Sequence, residues 1–220
     1  MTTTASPSAG ISAEQGLQRL IEGNHRFVRG EARFPTVCKE TLAELAKGQK
    51  PFATILGCSD SRVPPELIID ANFGELFIIR VAGNIISPEV KGSLQYAAAH
   101  LLTPLFVVLG HEGCGAVQAA LEYRQRGTRQ RSHVQRLIDN INKGLRFPAD
   151  ISDENLLGKA VEANVCWSMQ QILGTPEWQN AIKAGAKLVG AVYQIASGEV
   201  RFLHSDNQAG SSQLCATSVP

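Results

Sequence analysis

The sequence lacks a strong charge of either sign and any long hydrophobic run. Its 220 residues carry 21 Lys and Arg against 20 Asp and Glu, a formal net charge of +1, with no long basic or acidic block. This balance argues against nucleic acid or an anionic membrane as the main partner. No apolar stretch approaches the roughly 20 residues that cross a bilayer, and residues 1–10 lack the charged start and apolar core of a secretory signal. We therefore expect a cytoplasmic protein with no nucleic-acid or membrane partner.

Cysteine is also scarce, and its spacing argues against two further classes of protein. The five cysteines are widely separated and include no Cys-x-x-Cys pair, so they predict neither a disulfide framework nor a thiol redox motif. We interpret Cys38 and Cys166 as small buried side chains, and Cys215 as a free thiol in a polar tail. Cys58 and Cys114 remain, and they lie in segments rich in other polar residues.

The length and composition fit one medium-sized domain. With 44% apolar and 19% charged residues, the chain has an ordinary globular composition and is long enough to bury a core. Neither a linker nor a repeat divides it. We assign residues 12–204 to a single domain, residues 1–11 to a flexible N-terminus and residues 205–220 to a flexible polar tail. The locally basic segment 124–131 is interpreted as a solvated helix end or loop.

Short apolar runs alternate with helical stretches along this domain. The runs are nearly continuous in Val, Ile, Leu and Phe, as is typical of strands buried on both faces of a parallel sheet. We expect an α/β fold with a mainly parallel central sheet flanked by helices. The pair Ser197-Gly198 predicts a turn that returns residues 199–203 as an antiparallel edge strand. The other expected strands are 52–57, 76–81, 105–109 and 187–195, and the expected helices are 12–28, 41–47, 89–102, 116–123, 153–173 and one that begins at 175–177.

Polar clusters follow three of the predicted strands. They begin at Cys58, Ala82 and His111, and in parallel α/β sheets ligands bind beyond the carboxyl ends of the strands. The motif His111-x-x-Cys114 places an imidazole and a thiol one turn apart, and Cys58 can supply a third ligand from another strand. Two thiolates and one imidazole suit Zn²⁺, and three protein ligands leave the fourth tetrahedral position open, which marks a catalytic site.

Asp60 and Arg62 follow two and four residues after Cys58. On an ordinary surface they would form an ion pair worth little. Beside a zinc site, Asp60 could accept a hydrogen bond from zinc-bound water or occupy the open position itself. Arg62 could hold the Asp60 carboxylate ionised through a bidentate pair. We therefore predict a catalytic role for both residues.

Other interpretations of these clusters are weaker. The glycines of Gly110-x-x-Gly113-x-Gly115 suggest a phosphate loop, but the lysine and hydroxyl residue of that loop are missing. A cysteine and a histidine could form a nucleophile and its base, although Cys58 is better placed as a metal ligand. A zinc-stabilised protein without turnover would prefer a closed site with four ligands and has no need of the Asp60–Arg62 pair.

Several motifs together resemble the β-class carbonic anhydrases. They are CSDSRVPPE at 58–66, GELFIIRVAGN at 74–84, SLQYAAAHL at 93–101 and VVLGHEGCGAV at 107–117. The segments GNHRF at 23–27 and LVGAVYQIASGEV at 188–200 are similar to the N-terminal helix and the last strands of that family. The resemblance covers about residues 12–203.

The resemblance implies reversible hydration of CO2 to bicarbonate and a proton through a zinc-bound hydroxide. It implies one Zn²⁺ per subunit on Cys58, His111 and Cys114, with Asp60 and Arg62 as the catalytic pair. It also implies a substrate pocket that includes Gln49, Phe77 and Tyr96. In the family, pocket residues come partly from the neighbouring subunit. We therefore expect a homodimer or homotetramer with active sites at the dimer interface and the N-terminal helix packed on the partner.

One departure from the family bears on regulation, and one alternative concerns the substrate. Members that are inhibited by bicarbonate carry a tryptophan three residues before the first cysteine, where this chain has Ile55. Arg80 and Tyr193 match other parts of that inhibitory site, but without the tryptophan we expect an open zinc site near neutral pH. A few relatives with the same ligands hydrolyse carbonyl sulfide or carbon disulfide, and the sequence leaves that alternative open.

Overall fold

A computed structural model describes residues 10–33, 39–147 and 154–203, which form a five-stranded sheet with helices on both faces. The strand order is β2-β1-β3-β4-β5, in which the first four strands are parallel and β5 runs antiparallel to β4. This arrangement confirms the expected α/β class and the antiparallel edge strand. The strands are β1 (Ala53–Gly57), β2 (Leu76–Arg80), β3 (Leu105–His111), β4 (Lys187–Tyr193) and β5 (Val200–Leu203).

The apolar character of the central strands follows from their position in the sheet. Every residue of β1 and of β3 is buried, because helices cover both faces of the strands. Strand β2 lies at an edge, and most of its residues are only partly buried. The sequence pattern thus reports burial on two faces, and it is strongest where the sheet is fully covered.

The helices divide between the two faces of the sheet. One face packs against α1 and α3 around Leu20 and Ile55, and the other packs against the remaining long helices around Phe106. The helices are α1 (Ala13–Val28), α2 (Lys39–Leu45), α3 (Pro65–Ile68), α4 (Pro88–Ala99), α5 (Gly115–Arg126), α6 (Ser132–Asn142), α7 (Leu156–Leu173) and α8 (Pro176–Lys183), with a 3₁₀ turn at Ala82–Asn84. None of the helices described is long and apolar enough to cross a membrane.

Helix α1 begins at a capping box. The Ser12 side chain accepts a hydrogen bond from the Gln15 backbone, and the Gln15 side chain accepts one from the Ser12 backbone. In this single chain the helix packs on its own sheet, where Leu20 is fully buried. The packing of this helix on a partner subunit, which the resemblance implied, therefore remains a prediction.

The structure differs from the sequence-based expectations in a few elements. Helix α6 and the short helix α3 were not predicted, and the expected helix 153–173 begins at Leu156. Cys166 is buried as expected, but it is disulfide-bonded, which corrects its interpretation as a plain apolar side chain. Its partner is not among the residues described. The predictions for Cys38, Cys215, the N-terminus and the polar tail also lie outside the described residues.

Candidate metal centre

Two neighbouring parallel strands bring the three predicted metal ligands together. Cys58 follows the end of β1, His111 is the last residue of β3, and Cys114 precedes α5 as its N-cap. The strands pair directly, with Gly57 opposite Leu109, so their carboxyl ends meet at one edge of the sheet. The ligand atoms of the three buried residues lie within 4.8 Å of one another.

The chemistry of these three residues fits a zinc ion. The His111 ring places Nδ1 2.9 Å from the Glu112 carbonyl oxygen, which assigns the ring proton to Nδ1 and leaves Nε2 as a free lone pair. That Nε2 atom is buried and, in the part of the chain described, has no hydrogen-bond partner. A buried imidazole lone pair beside two cysteine sulfurs is the donor set that Zn²⁺ prefers.

The two cysteines share a proton unequally. The Cys114 thiol donates a hydrogen bond to the Cys58 sulfur, which lowers the pKa of Cys58, and a smaller effect of burial opposes this change. The same bond and burial together raise the pKa of Cys114. Burial lowers the pKa of His111, but Cys58, the Glu112 carbonyl and the Asp60 carboxylate together outweigh it and the net change is upward. Negative charge therefore collects at Cys58, where a cation would bind.

Asp60 and Arg62 form a bidentate ion pair beside these ligands. Arg62 Nε and Nη2 lie 2.9 and 2.7 Å from the two carboxylate oxygens of Asp60, and the Arg62 backbone N–H donates to Oδ1 at 3.0 Å. These bonds hold the pKa of Asp60 well below its usual range. Asp60 Oδ2 lies 3.8 Å from His111 Nε2. An ionised carboxylate thus faces the same buried space as the three ligand atoms.

Arg80 supports this loop from the neighbouring strand. It is the last residue of β2, opposite Gly57, and its guanidinium donates to the carbonyl oxygens of Cys58 at 2.9 Å and Asp60 at 2.6 Å. The sequence marks Arg80 only through its match to an inhibitory site, and the structure gives it this second contact. The signal available in the sequence for this role was that Arg80 lies near the end of one apolar run and Cys58 directly follows another.

The polar cluster that begins at Ala82 also contacts the metal centre. The Gly83 backbone N–H donates to Cys58 Sγ at 3.3 Å. Gly83 has φ +69°, a conformation that favours glycine. Asn164 and Ser168, two buried side chains of α7, are not among the predicted site residues. Both nevertheless donate hydrogen bonds to the turn that contains Gly83. Nothing in the sequence near either residue pointed to that contact.

The predicted substrate-pocket residues do not reach the metal ligands within one chain. Gln49 is exposed and precedes β1, so the strand, about 16 Å long, separates it from Cys58. Phe77 pairs with Thr54, four residues before Cys58 and thus about 13 Å back along the strand. The ring of Tyr96 lies beside that of Phe77, with 6.1 Å between the ring centroids and a tilt of 36° between the planes. These three residues lie away from the carboxyl edge of the sheet.

The chain matches a known family over most of its described length. A profile of the family described as "Carbonic anhydrase" matches residues 53–200. A carbonic anhydrase of Mycolicibacterium smegmatis is 34% identical over 183 residues, covering 82% of this chain and 88% of the relative. "Carbonic anhydrase 2" of Mycobacterium tuberculosis is 46% identical over 122 residues, a match that spans 56% of this chain and only 59% of the relative's own length.

Solved structures give the same result. The β-carbonic anhydrase CcaA superposes with a TM-score of 0.69 at 28% identity, covering 84% of this chain and 94% of that one. One of two tetrameric β-carbonic anhydrases from Sordaria macrospora superposes with a TM-score of 0.67 at 26% identity, covering 74% and 86% of the two chains. The fold and the site define an α/β protein with a Cys-His-Cys group able to bind a metal ion. The chain belongs to the carbonic anhydrase family, in its β class.

Proposed function

We propose that this protein catalyses the reversible hydration of CO2 to bicarbonate and a proton, with Zn²⁺ held by Cys58, His111 and Cys114. One observation supports this proposal above the others: three buried ligand atoms face an ionised carboxylate that belongs to a bidentate ion pair. A site that served only to stabilise the fold would close on a fourth ligand. When bound, Zn²⁺ supplies Lewis-acid chemistry and lowers the pKa of a coordinated water towards about 7.

The side chains around the metal centre orient the reactants. The Glu112 carbonyl fixes the His111 ring so that its Nε2 lone pair would be available to hold the ion, and Arg80 holds the loop that carries Cys58 and Asp60. Arg62 occupies both carboxylate oxygens of Asp60 and keeps it ionised. Asp60 then acts only as an acceptor, and it orients the reacting water by taking a hydrogen bond from it.

The pocket for CO2 forms between two subunits. Gln49, Phe77 and Tyr96 are too far from the metal ligands of their own chain to contact a substrate there, whereas a two-fold partner could present the same residues to the site. Gln49 donates a hydrogen bond to the substrate, and the two aromatic rings exclude water. We propose a homodimer as the smallest active unit, which further pairing could extend to a tetramer.

The site is proposed to stay open near neutral pH. Ile55 is fully buried among apolar side chains on the α1 face of the sheet, where it offers no polar atom to bicarbonate. Arg80 is occupied with two backbone carbonyls, and Asp60 with Arg62. A crystal structure of the zinc-loaded protein near pH 7 is expected to keep Asp60 on Arg62. A structure with the Asp60 carboxylate bound to zinc would contradict this expectation.

Stopped-flow CO2 hydration tests the proposed activity. The zinc-loaded protein is expected to turn over CO2, the stripped protein to lose that activity while its circular dichroism shows a folded chain, and reloading to restore it. Carbonyl sulfide is run in parallel as a second substrate with the same linear geometry. Loaded protein that leaves the uncatalysed rate of CO2 hydration unchanged would contradict the proposal, and faster turnover of carbonyl sulfide would reassign the substrate.

A further inference from the structure

Helix α7 buries two polar side chains whose bonds lead toward the metal centre. Asn164 and Ser168 are 1% and 0% exposed and lie one helical turn apart. Asn164 Nδ2 donates to the Gly83 carbonyl at 2.8 Å, and Ser168 Oγ donates to the Asn84 carbonyl at 2.9 Å. The other buried residues of this helix are apolar or cysteine: Leu156, Ala160, Val161, Val165, Cys166, Met169 and Ile172.

These two bonds hold a turn with an unusual backbone. Gly83 and Asn84 both have positive φ, +69° and +41°; glycine adopts this conformation readily, but for Asn84 it is a less favoured conformation that the surroundings help to fix. The Gly83–Asn84 peptide is fixed at both ends, because its N–H donates to the Val81 carbonyl at 2.9 Å while its C=O accepts from Asn164. This peptide sets the direction of the preceding Gly83 N–H, which donates to Cys58 Sγ.

We propose that Asn164 and Ser168 are positioning residues for the metal centre: they hold the Gly83 N–H against Cys58 Sγ and so set how tightly the Cys58 sulfur binds the metal. This inference rests on the proposed function only in taking Cys58 as a ligand. A hydrogen bond to a metal-bound thiolate stabilises the filled sulfur orbitals and fixes the sulfur in place. Outer partners of this kind are typically worth about ten- to a hundredfold in metal affinity.

Asn164 and Ser168 supply the donors for two carbonyls of a buried turn, which would otherwise be unpaired. Burying a polar side chain costs free energy unless its polar atoms are bonded. For Asn164 this free-energy cost is only partly offset, because its Oδ1 atom is buried and has no hydrogen-bond partner within the described residues. In the part of the chain that the structure describes, the hydrogen bond of the Asn164 side chain is its donation to the Gly83 carbonyl. This arrangement fits a residue whose role is to supply one donor.

The test uses Co²⁺ in the full-length protein, because thiolate-to-cobalt absorption reports on the sulfur itself. Asn164→Leu keeps the volume and removes the donor, and Ser168→Ala removes the hydroxyl. Both variants are expected to shift the thiolate-to-cobalt band to lower energy and to weaken Co²⁺ binding about tenfold to a hundredfold in chelator competition, with the smaller effect for Ser168→Ala. Met169→Ala is the matched control, since Met169 is buried on the same helix but packs against Gly190 of β4.

The control is expected to lower the thermal midpoint while the band position and cobalt affinity stay at wild-type values. If Asn164→Leu does not fold, Ser168→Ala decides alone. Wild-type spectra and affinities in the folded variants would overturn the inference and leave the proposed metal site intact. A wild-type protein that binds no cobalt through thiolates would overturn both.

Discussion

Arg62 fixes the Asp60 carboxylate in place and lowers its pKa further. Both oxygens of the carboxylate are bonded to Arg62, and its pKa lies well below the usual range, so the carboxylate is ionised throughout the neutral range. We expect Asp60→Asn to lower kcat/KM for CO2 hydration by about ten- to a hundredfold across that range. Glu66→Gln, which neutralises an exposed carboxylate on α3, serves as the control. A pH–rate profile of Asp60→Asn that superimposes on that of the wild type would contradict the proposed catalytic role of Asp60.

Asp70 is a second ionised carboxylate, and it acts on stability rather than on chemistry. Its side chain is 3% exposed and bonded to Arg26, to the Arg33 backbone at 2.7 Å and to the Arg33 side chain. Burial raises the pKa of Asp70, but these partners outweigh it and the net change is downward. Because the folded-state pKa lies below the unfolded value of about 3.9, the stabilisation is complete above the unfolded pKa and is lost as pH falls through the folded one.

Replacing Asp70 by asparagine tests that linkage. Asparagine tolerates the positive φ of +48° at this position, so the backbone strain does not change. We expect a loss of about 1–3 kcal/mol in the free energy of unfolding at pH 7, measured by urea titration, and a difference from wild type that shrinks below pH 4. Glu31→Gln, in an exposed pair with Arg29, should change little. A difference that stays constant down to pH 2 would contradict the linkage.

Single residues also mark the limit of what the sequence could predict. Cys58, Asp60, Arg62, His111 and Cys114 stand in short motifs directly after apolar runs, so local pattern was enough to propose them. The support that surrounds them is not local. Arg80 contacts the Cys58 carbonyl across 22 positions of sequence and Asn164 contacts Gly83 across 81, and only the pairing of strands and the packing of α7 bring them there.

At the scale of elements, periodicity identified the strands better than it identified every helix. Helix α6 was missed, although Val134, Leu137, Ile138 and Ile141 have the spacing of one helical face. Its N-cap residue, Arg131, makes no capping side-chain bond, and the basic segment before it reads as loop. The start signal was absent, whereas Ser12 and Gln15 marked α1 clearly.

Helix α1 depends on one buried side chain for its docking. Asn24 is 3% exposed, donates to the carbonyls of Ile68 and Gly198, and accepts from the Val200 backbone. Asn24→Ala leaves three backbone groups without a partner and should cost about 2–3 kcal/mol. Hydrogen exchange is expected to show faster exchange in α1 and β5, while His25→Ala, at the exposed next position, leaves both protected. Unchanged protection in Asn24→Ala would contradict this account.

At the scale of the whole molecule, the position of Gln49 bears on the proposed sharing of an active site between subunits. Gln49 and Cys58 lie at opposite ends of β1, so the proposed site would take them from different subunits. The resemblance implied a pocket shared between subunits, but local motifs do not give the distance between Gln49 and the metal ligands. The geometry of β1 supplies that distance and places Gln49 out of reach of the ligands of its own chain. The separation leads to a test that depends on subunit mixing.

Two inactive variants are expected to complement each other. Cys58→Ser lacks a metal ligand and Gln49→Ala lacks the pocket donor, so neither homodimer has a complete site. In a two-fold heterodimer, one site combines both defects and the other combines an intact metal centre with an intact Gln49. Doubly tagged heterodimers should therefore reach about half the wild-type turnover per dimer. The control is a heterodimer of Cys58→Ser and Asp60→Asn. Each change damages the metal centre of its own chain, so neither site is intact and turnover should stay low. Equal turnover in the two mixtures would mean that Gln49 serves the site of its own chain, and a Gln49→Ala homodimer with wild-type turnover would mean that it serves no site.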